Sequence, residues 1–177
     1  GTLPPQVGNL VRLEALWMGN NAIGGSLITE LGQLSALTAL SLWTNQIQGS
    51  MPTELGNLAS LRTLALSTNQ LVGSIVTEIG KLTSLLSVQV STNSLQGSLP
   101  SELGRLSLLR DFACNRNLIG GTIPSEMQVW TQMTSLQLWQ NQFSGTIPSE
   151  LALMTSVTSI GFSSNSLRGS IPSELAT

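Results

Sequence analysis

The chain has 177 residues, seven basic and nine acidic side chains, a net charge of −2, and no histidine or tyrosine. This near-neutral balance gives no electrostatic basis for binding nucleic acid or an anionic membrane surface. A single cysteine without histidine excludes a Cys–His nucleophile pair and the common zinc clusters, and polar residues interrupt every apolar stretch before it could span a membrane. We therefore expect no catalysis, no cofactor and no direct membrane insertion.

A period of 24 residues organises the chain, and every repeat begins with glycine. Seven full repeats start from Gly1, and a partial repeat covers residues 169–177, with no insertion or deletion between them. A unit of this length cannot enclose its own apolar side chains, whereas stacked copies bury a continuous core. The period predicts a single array over residues 1–177, without a linker or second domain. Positions within a repeat are numbered here from 1 to 24, starting at the glycine.

The first predicted element of each repeat is a short helix near position 6. In repeats 2 to 8, serine or threonine at position 5 precedes glutamate at position 6, and we expect the hydroxyl to cap the helix and the first turn to favour the carboxylate. The alternative is that the row of like charges binds a cation weakly. The glutamates of this row are Glu30, Glu54, Glu78, Glu102, Glu126, Glu150 and Glu174.

The next predicted element is a strand around positions 16 and 18. Both positions are apolar in every repeat, with one residue between them, which is typical of a strand with one buried face. Cys114 occupies position 18, where the other repeats have Met, Leu, Val or Phe, so we interpret it as a buried apolar residue and not as a nucleophile. Trp130 stands at a leucine position and should also be buried.

Asparagine follows the strand at position 21 of every repeat. An interior carboxamide can donate two hydrogen bonds and accept two, which suits the backbone groups exposed where each strand turns. We interpret the row as structural, and the alternative is a ligand site made of carboxamides. Its members are Asn21, Asn45, Asn69, Asn93, Asn117, Asn141 and Asn165.

The segments LTALSLWTNQIQG (37–49), LRTLALSTNQLVG (61–73) and GSLPSELGRL (97–106) resemble the leucine-rich repeat family, in its plant-type 24-residue subclass with the pattern LxxLxLxxNxLxGxIPxxLGxL. The resemblance extends over all seven repeats. It implies an α/β fold: a right-handed leucine-rich repeat solenoid with a concave parallel β-sheet and short helical or irregular convex segments. It also implies a recognition role, since such arrays commonly serve as receptor ectodomains or as secreted partners.

The repeats differ most on the predicted outward face of the sheet. Positions 15, 17 and 19 should face outward, with positions 14 and 20 at the edges. Exposed aromatic groups on a rigid sheet are typical anchors of binding interfaces, and Trp17 and Trp43 on neighbouring strands would form one aromatic platform. The alternative is that flanking side chains cover the rings and nothing binds. The predicted ligand-binding residues are Trp17, Trp43, Arg62, Gln89, Arg110, Asp111, Arg116, Gln137 and Trp139.

Three functions are compatible with these patterns. The first is a non-catalytic recognition module that binds a protein, peptide or glycan through its concave face. The second is an ice-binding or surface-adsorbing solenoid, suggested by rows of Ser and Thr at positions 2 and 5. The third is a structural or assembly subunit within a larger complex. We expect no nucleic-acid partner for any of them.

The sequence departs from secreted plant-type repeats in several respects. It has no paired cysteine caps and no Asn-x-Ser/Thr sequon, and its first residues do not resemble a secretory signal. We expect an internal array of a larger protein, with an extracellular or cell-surface location. Gln128, Ala152 and Ala176 replace the glycine of position 8, so the last repeats should differ locally on the convex side.

Overall fold

The computed structural model describes residues 1–176, with side chains described as far as Glu174. In chain order the strands are β1 (Ala15–Trp17), β2 (Ala39–Ser41), β3 (Gln48–Gly49), β4 (Thr63–Ala65), β5 (Gln70–Gly73), β6 (Ser87–Gln89), β7 (Ser94–Leu95), β8 (Asp111–Ala113), β9 (Gly120–Gly121), β10 (Ser135–Gln137), β11 (Gln142–Gly145), β12 (Ser159–Gly161) and β13 (Ser166–Leu167). The 3₁₀ helices are η1 (Pro5–Asn9), η2 (Thr29–Gln33), η3 (Thr53–Asn57), η4 (Thr77–Lys81), η5 (Ser101–Arg105), η6 (Ser125–Val129), η7 (Ser149–Leu153) and η8 (Ser173–Ala176). None of these helices combines the length and the apolar character that crossing a membrane requires.

The main sheet contains one strand from each of the seven full repeats, in the order β1-β2-β4-β6-β8-β10-β12, and all its pairs are parallel. Equal repeat positions face each other, so that Leu40 pairs with Leu64 and Leu64 with Val88. This one-to-one register follows from the constant period, because any slip would turn the apolar side chains to the other face. The predicted solenoid with its concave parallel sheet is confirmed.

The core lies behind this sheet. The inward residues of positions 16 and 18 are fully buried in the central repeats and partly exposed at the two ends, where Met18 and Ile160 have a neighbouring repeat on one side only. Cys114 and Trp130 are both fully buried, as predicted. The Trp130 ring packs against Phe112 with the ring centroids 5.3 Å apart, and its indole Nε1 donates a hydrogen bond of 3.1 Å to the carbonyl of Leu103.

The asparagine row is a ladder of backbone hydrogen bonds, which confirms the structural interpretation. Asn69 Nδ2 donates to the carbonyls of Leu42 and Leu66 at 3.0 and 3.1 Å, and its Oδ1 accepts a bond of 3.0 Å from the amide of Ile47. From Asn45 onward, each carboxamide thereby ties its own strand end to the preceding repeat. The residue before each asparagine has a left-handed φ of 50 to 57° although it is never glycine. Such a conformation is unfavourable by about 1–2 kcal/mol, and the ladder helps to hold it.

A second parallel ladder runs beside the asparagine row and was not predicted. Strands β3, β5 and β7 form one small sheet, β9, β11 and β13 form another, and isolated bridges such as Ser98 to Gly120 extend the ladder between them. The glycine of position 1 has a φ of 72 to 82° in repeats 2 to 8, a conformation that glycine adopts without a steric penalty. This turn brings the chain out of the second ladder toward the convex side.

The prediction that hydroxyl groups cap the convex helices is wrong. In η1–η7 the N-cap is the residue of position 4, which is Pro, Ile or Val in an extended conformation, and no side chain makes a capping hydrogen bond. The hydroxyl residue is already the first residue of η2–η7. In five of these six helices its hydroxyl donates to the adjacent glutamate instead, for example Thr53 Oγ1 to Glu54 Oε2 at 3.3 Å. The glutamates do lie in the first turn, as predicted.

Candidate functional site

The outward face of the main sheet carries the predicted ligand-binding residues. Trp17 is 75 % exposed and Trp43 is 45 % exposed. The other predicted residues are either exposed or half-buried. Exposed are Arg62, Gln89, Arg110 and Arg116. Half-buried are Asp111, Gln137 and Trp139.

The two tryptophans near the amino-terminal end are separate anchors. Trp17 pairs in register with Ser41 on the neighbouring strand. Trp43 lies over Gly19 of the preceding repeat, where an added Cβ would come within 2.6 Å of the indole Cε2. The two indoles do not stack on each other; within residues 1–176 the paired rings are those of Phe112 and Trp130. The single aromatic platform is therefore replaced by two exposed indoles on adjacent repeats.

Trp139 is held on both sides by residues of the neighbouring repeats. The guanidinium carbon of Arg116 lies 5.0 Å from the centroid of the indole ring, within the range of a cation–π interaction. Arg116 Nε donates a hydrogen bond of 3.0 Å to Gln140 Oε1, which fixes the guanidinium plane. On the far side Gly161 has no side chain, and a Cβ there would lie 2.7 Å from Trp139 Cδ1. Trp139 and Arg116 thus form one preorganised pair.

The remaining charged and amide side chains differ in whether they make hydrogen bonds within the protein. Asp111 Oδ1 accepts a hydrogen bond of 3.3 Å from Thr134 Oγ1. Gln137 Nε2 donates to the hydroxyls of Ser135 and Ser159 at 3.2 and 2.8 Å. The guanidinium groups of Arg62 and Arg110 have no hydrogen bond or ion pair within the described chain and can contact a ligand directly.

The structure adds Asn115, which the sequence interpretation did not single out. It lies at position 19, in line with Ser67, Ser91 and Trp139, and only 9 % of its surface is exposed. Ser67 Oγ accepts a hydrogen bond of 3.1 Å from the amide of Ser91, and Ser91 Oγ donates one of 2.6 Å to Asn115 Oδ1. The signal in the sequence was an asparagine in a row otherwise made of Gly, Ser and Trp. This row provides polar groups at the floor of the face.

Cys114 lies in the core and not on the outward face of the main sheet. Burial in the apolar core raises the pKa of the Cys114 thiol well above its usual range, so the thiolate is disfavoured. Within residues 1–176, no three His, Cys, Asp or Glu side chains come together in a way that could hold a metal ion. The face offers hydrogen bonds, apolar contact and positive charge.

Comparison with known proteins shows to which family the chain belongs. A family model described as Leucine Rich Repeat matches residues 60–82 and 132–154. The ectodomain of the Arabidopsis thaliana membrane receptor kinase GASSHO1/SCHENGEN3, solved in complex with CASPARIAN STRIP INTEGRITY FACTOR 2, is 37 % identical with a TM-score of 0.97 over 99 % of this chain and 21 % of that one. The chain belongs to the leucine-rich repeat family. No curated protein sequence matches this leucine-rich repeat array.

Two further structures are similar to this leucine-rich repeat array. The Arabidopsis receptor kinase HAESA, in complex with the peptide hormone IDA and the co-receptor SERK1, is 30 % identical with a TM-score of 0.97, over 99 % of this chain and 30 % of that one. A plant ice-binding protein is 25 % identical with a TM-score of 0.70, over 97 % of this chain and 71 % of that one. The array therefore spans less than a third of the two receptor chains.

Proposed function

We propose that this leucine-rich repeat array is a non-catalytic, extracellular recognition module that binds an extended peptide or protein segment across its concave sheet. The observation that carries the proposal is the exposure of Trp17 and Trp43 on an outward face made mostly of small and polar side chains. Exposed indoles on a rigid support lose little conformational entropy on binding and are frequent hot spots of interfaces.

The rest of the face supports an extended ligand. Parallel backbone pairing fixes every strand of the main sheet, so the ligand meets a preformed surface. The free guanidinium groups of Arg62 and Arg110 lie at position 14, on one edge of the sheet and two repeats apart. They favour a ligand that carries acceptor or acidic groups along its length. The HAESA and GASSHO1/SCHENGEN3 ectodomains were both solved as complexes, which supports peptide or protein ligands here.

A double variant, Trp17→Ala with Trp43→Ala, tests the proposal. Binding is measured by fluorescence polarisation with labelled peptides selected on the wild-type array from a displayed random library. Loss of one hot-spot side chain costs about 2 kcal/mol, or about 30-fold in affinity, so loss of both should weaken binding by about 30-fold to 1,000-fold. The control is Leu118→Ala, because Leu118 is 48 % exposed but lies outside the main sheet. Equal binding by the double variant, or an equal loss in the control, would refute the proposal.

The same experiment separates the other partner classes. Selection of glycans instead of peptides would identify a glycan ligand on the same face. A partner that contacts the convex helices would be insensitive to the tryptophan variants and would favour the assembly role. The HAESA complex contains a co-receptor as well as a peptide, which supports larger assemblies as a second kind of partner for this array.

Ice binding is the second candidate function, favoured by the similarity to a plant ice-binding protein. The hydroxyls of position 2 are exposed in every repeat and make no hydrogen bond within residues 1–176, whereas those of position 5, except Ser125, donate to glutamates. Only the position 2 row is therefore free to meet a lattice. It consists of Thr2, Ser26, Ser50, Ser74, Ser98, Thr122, Thr146 and Ser170.

Inhibition of ice recrystallisation measures this candidate. A Ser74→Lys and Thr122→Lys double variant should lose the activity, because two charged side chains interrupt the row. The Trp17→Ala and Trp43→Ala double variant should keep it, because those residues stand at positions 17 and 19 and are not part of the position 2 row. No inhibition by the wild-type array at high concentration would eliminate the candidate.

A further inference from the structure

Asn115 holds a hydrogen-bond donor that the protein does not use. Its side chain lies on the outward face of the main sheet, and only 9 % of its surface is exposed. Its Oδ1 accepts the 2.6 Å hydrogen bond from Ser91 Oγ, whereas its Nδ2 has no acceptor within the described chain. Every fully enclosed side-chain nitrogen or oxygen of the described residues has a hydrogen-bond partner. The unpartnered Nδ2 of Asn115 is therefore not fully enclosed, and it reaches solvent through the small exposed part of the residue.

Asn117, two residues further, shows how unusual this arrangement is. Asn117 is buried to a similar extent, with 7 % of its surface exposed. Its Nδ2 donates to the carbonyls of Val90 and Cys114 at 3.1 and 2.9 Å. The Nδ2 group of Asn117 donates to backbone carbonyls, whereas that of Asn115 has no acceptor within the described chain. A donor with so little access to water is poorly hydrated. A hydrogen bond from this donor to a ligand would therefore replace few hydrogen bonds to water.

The surroundings fix the direction of this donor. Ser91 orients the carboxamide through Oδ1, and Ser67 Oγ in turn accepts from the backbone amide of Ser91. On the next strand Trp139 occupies the same repeat position as Asn115, and the Arg116 guanidinium is fixed over its ring. These contacts hold the side chains around the donor in place before any ligand arrives. We call Ser91, Asn115, Arg116 and Trp139 together the polar notch.

We propose that Asn115 is a ligand-contacting residue that selects for a planar oxygen acceptor, an amide carbonyl or a carboxylate, on the segment bound to the concave sheet. Nδ2 donates to this oxygen, and the positive charge of Arg116 next in sequence supports it. The inference rests on the proposed function and deepens it, because it assigns the chemical group that the polar notch recognises. A ligand without such an oxygen leaves a shielded donor unpaired and is rejected.

Nitrogen-15 NMR of the intact array tests the notch without a peptide. Acetamide and acetate are titrated separately, and the side-chain NH₂ signal of Asn115 is assigned by its loss in Asn115→Asp. The signal should shift with acetamide, with acetate or with both, and the comparison identifies the acceptor as a carbonyl or a carboxylate. The Asn117 signal should stay fixed, since its donors are engaged. No shift at Asn115, or an equal shift at exposed Gln89 on the same face, would overturn the inference.

A variant series then measures the effect on peptide binding. Asn115→Asp keeps the hydrogen bond from Ser91 but replaces the donor by an acceptor, and it should weaken the selected peptides by about tenfold or more. Ser91→Ala releases the carboxamide and should give a smaller loss. The Asp variant should retain the wild-type circular dichroism and melting profile. Peptides that bind Asn115→Asp as tightly as wild type would refute the inference while the proposed function stands. Acetamide binding at Asn115 without any selected peptide would uphold the notch while the proposed function fails.

Discussion

Replacing Asn69 with alanine measures how much stability the asparagine ladder supplies. Asn69 lies in the third repeat, with folded repeats on both sides, so the change affects a complete section of the ladder. The variant removes two Nδ2 donors and one Oδ1 acceptor that the structure places at 3.0 to 3.1 Å from their partners.

The three partners are not affected equally. Leu42 and Leu66 keep a carboxamide donor, because Asn45 and Asn93 also bind these carbonyls. The amide of Ile47 has no other acceptor and would be left unpaired beside a fully buried side chain. An unpaired buried amide costs about 1–3 kcal/mol and each lost shared bond about 0.5–1.5 kcal/mol, so we expect Asn69→Ala to lower the free energy of unfolding by about 4 kcal/mol.

Equilibrium urea unfolding, followed by tryptophan fluorescence and circular dichroism, provides the measurement. The matched control is Asn21→Ala at the amino-terminal end, where the carboxamide donates only to the carbonyls of Met18 and Gly19 and is exposed. That variant should lose less than about 1 kcal/mol, since solvent can replace both bonds. Equal losses for the two variants would show that the cross-repeat bonds are not the source of the stability.

Two further predictions concern other parts of the core. Gly56→Ala would place a Cβ 2.6 Å from that of Glu78 on the next helix and should destabilise the array by about 1–3 kcal/mol. The control Gly120→Ala should be neutral, because the nearest atom to its Cβ is Gln142 O at 3.5 Å. If Gly56→Ala were also neutral in the urea assay, the close spacing of the helices would be contradicted. Burial raises the pKa of the Cys114 thiol, so above the ordinary thiol pKa the native protein keeps a proton that the unfolded chain releases. The free energy of unfolding should therefore fall as the pH rises above that value, by up to about 1.4 kcal/mol per pH unit. Cys114→Ala should lack this component, and identical pH profiles for the two proteins would contradict the raised pKa.

The residues of the core could be predicted from the sequence. The constant period identified the residues that face the core, and it predicted burial for Cys114 and Trp130 from repeat position alone. The same reasoning identified the asparagines as backbone ligands. These predictions hold because each inward residue meets a near-copy of itself one repeat away, so the local pattern also describes the neighbour.

The convex helices were predicted less well. A hydroxyl before glutamate indicates a capped helix, but the helices begin at the hydroxyl residue itself, and Thr53 donates to Glu54. Repeat position 4, extended in η1–η7, already serves as the N-cap. The sequence signal was correct for the glutamate and misplaced by one residue for the cap, which is a usual error at element boundaries.

The sequence alone determined the period, the register of the strands and the residues that form the core, because identical neighbours make the inward packing a local property. The tertiary structure decided which outward side chains are free. Trp43 settles over Gly19, Trp139 is fixed between Arg116 and Gly161, and Asn115 keeps an unused donor. Each of these outcomes depends on unlike residues brought together from adjacent repeats, and no pattern within one repeat contains that information.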